Sequence, residues 1–111
     1  MSRNLVVSLT AREAASRISD AVIRGSITGE LLDTYTVTAP GGGCCIVSVY
    51  EKHYYRAGNR LTLTATVDDL TGRTRVHLVG GGGGEGLFRF DWGASGSFEQ
   101  AAYEGLRPYQ L

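Results

Sequence analysis

The sequence predicts an α+β domain: a two-layer sandwich, mainly antiparallel, with a sheet of about five strands and two helices on one face. The expected order is β-α-β-β-β-β-α. Three observations predict it. The 111 residues match the size of one domain with its own core. Several short segments alternate apolar and polar residues, the period of a half-buried strand. Two other segments, one near each end of the chain, carry apolar residues at helical spacing.

Arg3 to Leu9 reads as the first strand, with Leu5, Val7 and Leu9 on one face. Thr10-Ala11-Arg12-Glu13 follows. It has the spacing of a capping box, in which the Thr hydroxyl and the Glu carboxylate satisfy each other's backbone N–H. Ala11, Ala14, Ala15, Ile18, Val22 and Ile23 then recur as one helical face, and Gly25 stands where a left-handed cap ends such a helix. Glu30 to Thr38 is a second strand, broken by Ala39-Pro40-Gly41-Gly42-Gly43. Cys44 to Tyr55 is a third, rich in β-branched and aromatic residues, and Ala57-Gly58-Asn59 turns it. Arg60 to Asp68 has the clearest alternation, Leu61, Leu63, Ala65 and Val67 against Thr62, Thr64 and Thr66. Asp69-Leu70-Thr71-Gly72 is a hairpin turn. Arg73 to Val79 completes the meander, with Val76 and Leu78 inward and Arg75 and His77 outward. After the glycine run, Leu87 to Trp92 reads as a short strand, and Gly93 to Gly96 as a break. Ser97 reads as the cap of a last helix carrying Phe98, Ala101, Ala102 and Leu106, which Pro108 stops.

Composition narrows the function classes. Hydrophobic residues make up 42% and charged residues 20%, the balance of a globular chain. Eleven basic residues meet eleven acidic ones, so no net field draws nucleic acid or anionic lipid, and neither is expected as a partner. The Leu5–Leu9 run is too short for a signal peptide, and no apolar stretch nears the ~20 residues of a membrane span. A cytoplasmic location is expected. The cysteines, Cys44 and Cys45, are neighbours whose side chains leave a strand on opposite faces, so both are expected as packed, reduced thiols rather than a disulfide or nucleophile.

The candidate sites are these. Glu51 and His53 share a strand face, a carboxylate beside an imidazole that suits proton transfer, with His77 and Asp91 as further candidates. Exposed cross-strand charge pairing is the more ordinary reading of the same residues. Their spacing has no metal-ligand signature, and no metal or cofactor is expected. Gly81, Gly83 and Gly86 fit G-x-G-x-x-G, but an aromatic strand-like run follows where the dinucleotide fingerprint needs a helix. A flexible loop, or a backbone path too close to a neighbour for a Cβ, is the preferred reading. Phe88, Phe90 and Trp92 alternate, which fits closing the core better than stacking bases. A small-molecule pocket, if present, would lie between the sheet, the glycine loop and the last helix, with Arg56, Gly82, Gly83, Gly84 and Trp92 lining it. Tyr50, Tyr54, Tyr55 and Tyr35, with the threonines of the second sheet face, favour a non-enzymatic domain that self-associates through its sheet.

Gly25-Ser26-Ile27-Thr28-Gly29-Glu30-Leu31, Tyr50-Glu51-Lys52-His53-Tyr54-Tyr55-Arg56 and Gly82 to Ala94 together resemble a family of short bacterial proteins, mostly Gram-positive, of unknown function. The resemblance implies a stand-alone domain and carries no activity over to these residues. The element order is also similar to helix-grip and TATA-binding-like folds, a likeness of shape alone.

Overall fold

The computed structural model describes residues 2–24, 29–54, 59–82 and 92–111. Strand β1 (Ser2–Val7) leads into α1 (Ala11–Arg24), then β2 (Glu30–Thr38), β3 (Cys44–Tyr54), β4 (Asn59–Asp68), β5 (Thr74–Gly82) and α2 (Trp92–Leu106). A 3-10 turn, Arg107–Tyr109, carries Pro108 past the end of α2. The five strands form one antiparallel sheet in the order β1-β5-β4-β3-β2. The expected order and class therefore hold.

The capping box closes as its spacing requires. Thr10 Oγ1 accepts from the Glu13 N–H at 3.1 Å, and the Thr10 N–H donates to Glu13 Oε1 at 2.9 Å. Ala11, Ala14, Ile18 and Val22 of α1 are buried with Phe98, Ala102 and Leu106 of α2. Both helices pack on one side of the sheet, over Leu5 and Val7 of β1, Ile46 and Tyr50 of β3, Leu61, Leu63, Ala65 and Val67 of β4, and Val76 and Leu78 of β5. The helices touch closely at Gly105, where a Cβ would stand 2.7 Å from Ala21 Cβ. A part-buried polar cluster pins β1 to α2. Arg3 Nε donates to Glu99 Oε2 at 3.2 Å, Arg3 Nη2 to Gln100 Oε1 at 2.8 Å, and the guanidinium lies 4.4 Å from the Tyr103 ring centre.

The β2–β3 connection is a three-residue hairpin loop. The Gly42 N–H donates to the Ala39 carbonyl at 3.0 Å, and the Ala39 N–H to the Gly43 carbonyl at 2.6 Å. Pro40 presets the first turn position, and Gly42, at φ +106°, takes the left-handed position of the bulge that ends such loops. Within β2 the pairing slips by one residue between Leu31 and Asp33, a β-bulge.

Four expectations are corrected. The last helix begins at Trp92, so Ser97 lies inside it rather than capping it, and Gly93 to Gly96 do not interrupt it. Glycine costs a helix about 1 kcal/mol per residue, and the buried stripe of Phe98, Ala102 and Leu106 outweighs that. Trp92, read as the end of a short strand, is helical; Leu87 to Asp91 lie outside the described residues. Strand β5 runs on through Gly80, Gly81 and Gly82, which pair with Leu63, Thr62 and Leu61. The glycine run thus begins as sheet, since backbone pairing needs no side chain. Finally, Tyr50 is 1% exposed and faces the helices, so it belongs to the core and not to the second sheet face.

Candidate functional site

The second face of the sheet carries no helix among the described residues. Partners in antiparallel pairs share a face, so the register places its side chains in rows across the strands. One row runs Val6, Arg75, Asp68, Cys45 and Val37. The next runs Asn4, His77, Thr66, Val47 and Tyr35, and a third Ser2, Val79, Thr64, Val49 and Asp33. The face is therefore rich in valine and threonine, with Tyr35 as its described aromatic residue.

Its charged groups engage one another. Asp68 Oδ1 accepts from Arg75 Nε at 3.1 Å, from Arg75 Nη2 at 3.0 Å and from the Leu70 N–H at 3.0 Å. His77 Nδ1 is hydrogen-bonded to Asn4 Oδ1. These groups, with Val6 and Thr66, line a shallow groove of about 490 Å³. Asn4, Asp68, Arg75 and His77 in it already have partners inside the protein. At the other end of the face, Glu51 lies 3.6 Å from Arg60 Nη1 and 4.0 Å from His53 Nε2. Glu30 pairs directly with Glu51, and the two cations offset that like-charge contact.

Of the residues singled out by sequence, the structure brings Glu51 and His53 together. His77 pairs with Thr66 and His53 with Arg60. Six residues of β4 separate those partners, roughly 20 Å at strand rise, so one small substrate does not reach both imidazoles. Gly82 closes β5. Arg56, Gly83, Gly84 and Asp91 lie outside the described residues, as do Gly86, Phe88, Phe90 and Tyr55, and of the Trp92 and Tyr54 side chains nothing is described. Cys44 is buried toward the helices, while Cys45 takes the other face beside Asp68. Burial, and then the negative charge of Asp68, push the Cys45 thiol above its ordinary value, with Arg75 opposing. A protonated thiol is a poor nucleophile, in keeping with the packing expected of Cys45. Among the described residues no group of three or more His, Cys, Asp or Glu side chains stands together to hold a metal ion. Nor is any described helix long and apolar enough to cross a membrane.

Sequence reasoning missed the most exposed apolar element. Every residue of β2 is exposed. Leu31, Leu32, Tyr35 and Val37 are 42%, 50%, 64% and 48% exposed and account for four of the seven exposed large hydrophobic residues described. The signal was present in the sequence, since Leu31-Leu32 breaks the alternation that a one-faced strand would show.

A family model matches residues 3–110 of this chain. The chain belongs to the DUF6054 family. DUF6054 is a family of unknown function, so membership adds the domain's extent and no chemistry. No curated protein and no solved structure matches.

Proposed function

We propose that the chain is a non-enzymatic binding domain of the bacterial cytoplasm that self-associates through its sheet. The observation that carries this is β2. A nine-residue strand at the sheet's edge, exposed along its whole length and bearing Leu31, Leu32, Tyr35 and Val37, leaves apolar surface and backbone donors in water. Proteins usually blunt such edges with Lys, Pro, a bulge or a cover; β2 has neither Lys nor Pro within it, and its bulge, between Leu31 and Asp33, leaves Thr34 to Thr38 regular. The valine- and threonine-rich second face is continuous with this strand and enlarges the surface available to a partner. A cytoplasmic setting fits two unpaired thiols.

Light scattering tests the reading. The expected mass is a multiple of the 11.9 kDa chain, with dissociation on dilution. A single 11.9 kDa species that persists at millimolar concentration overturns self-association.

A further inference from the structure

The two edges of the sheet are finished differently. At β1 the chain covers the Val6–Ser8 end of its own edge. The Ser8 N–H donates to the Tyr109 carbonyl at 2.9 Å, the Leu111 N–H to the Val6 carbonyl at 2.8 Å, and Val7 bridges Gln110. No described segment does the same for β2.

The hydrogen-bond phase of β2 follows from its hairpin. Ala39 bonds Gly43, and antiparallel pairs alternate between bonded and non-bonded. In the register Val37↔Cys45 and Tyr35↔Val47, the odd residues therefore turn their N–H and C=O groups toward β3. Cys44 agrees, since its N–H and carbonyl both engage Asp69 on the other side. Thr34, Thr36 and Thr38 consequently present their backbone groups outward, at the free edge.

The outward stretch is self-complementary. Thr34-Tyr35-Thr36-Val37-Thr38 reads nearly the same in both directions about Thr36. We propose that a second copy of this chain pairs with β2 antiparallel, across a two-fold axis at Thr36, joining two sheets into one of ten strands. This rests on the self-association proposed above and names its edge and register. Thr36 meets its own counterpart, Thr34 meets Thr38 of the second copy, and the three bonded pairs supply about six backbone hydrogen bonds. On the open face, Tyr35 lies against Val37 twice, an aromatic with a β-branched residue, which is a favourable cross-strand pair. Asp33 falls opposite Ala39. Registers shifted toward the start of β2 instead set Asp33 against Val37, against Tyr35 or against itself. An isologous pair of this kind closes, because the same β2 edge is used up on both copies.

Thr36→Pro tests it. The substitution deletes an N–H that the single chain does not use, and proline is tolerated at an outward edge position. Sedimentation is expected to give two chains for the wild type and one for Thr36→Pro, with the circular dichroism spectrum retained. A wild-type dimer that survives in a folded Thr36→Pro protein overturns this edge while leaving self-association standing. A monomeric wild type overturns both. A mixed-label wild-type sample, read by isotope-filtered NOE spectroscopy, decides the register even where the variant fails to fold. Contacts from the Tyr35 ring to the Val37 methyls of the second copy support it. Contacts of Tyr35 with its own counterpart, or between the Val47 and Val49 side chains of two copies, overturn it.

Discussion

At Gly82 the backbone takes φ +78°, and a Cβ there would stand 2.6 Å from the carbonyl oxygen of Arg60. Both the left-handed conformation and the obstructing backbone argue against any side chain. Gly81, one residue earlier, would place its Cβ 3.3 Å from a Thr62 hydroxyl, which a side-chain rotation relieves. Gly82→Ala should therefore cost about 2–3 kcal/mol and Gly81→Ala less than about 1 kcal/mol, measured by urea unfolding. Equal effects would contradict the account. Cys45 offers a second test at this scale. Its thiol is held above the ordinary value of 9.0 by burial and Asp68. A group whose value is raised by folding stabilises fully below the unfolded value and loses that contribution as pH rises through the folded one. The melting temperature should fall above about pH 9, and Cys45→Ala should flatten that fall. Alkylation at pH 8 should run slower at Cys45 than at an unstructured cysteine, and Asp68→Asn should speed it.

Among the elements, the polar link from β1 to α2 runs through Arg3. Glu99 is 2% exposed, and its Oε1 has no partner, so Arg3 supplies the charge that makes its burial tolerable. Arg3→Ala strands the carboxylate. The expected loss is about 2–3 kcal/mol, below the range for fully buried pairs because Arg3 itself reaches solvent. Arg3→Ala with Glu99→Leu should recover most of it, and additive losses in that cycle would refute the coupling. The sequence announced some elements and hid others for definable reasons. The period of β4 and the Thr10–Glu13 box were legible because each is a local pattern that only one structure satisfies. The start of α2 was not, since Gly93-Ala94-Ser95-Gly96 has the composition of a loop and is held helical by packing further along. The extension of β5 was silent because glycines pair by backbone alone. In the candidate site, Glu51 and His53 were legible as i,i+2 neighbours on a strand. The separation of His77 from them was not, because register between β4 and β5 is fixed only when the hairpin closes. Tyr50 misled because an aromatic in a strand reads alike on either face, and only the helices decide which is inside.

Seen whole, the molecule spends its helices on one side and leaves the other to threonine and valine. Net charge is zero, so the proposed association through β2 would rest on backbone pairing and apolar contact. Its dissociation constant should change little between low and high salt, in contrast to a charge-driven interface. A steep salt dependence in sedimentation would point to the ion pairs of Arg60 and Glu51 instead. The last residues acquire a role in this setting. Tyr109 to Leu111 cover the Val6–Ser8 end of β1, with the Tyr109 ring 4.7 Å from the Arg17 guanidinium and Gln110 bonded to Tyr103. Removing them would bare that end too and leave the whole length of β1 open, and a closed pair would become a link in a chain. The truncated protein should then elongate into fibres that bind amyloid dyes, so three terminal residues would set the difference between a finite assembly and polymerisation.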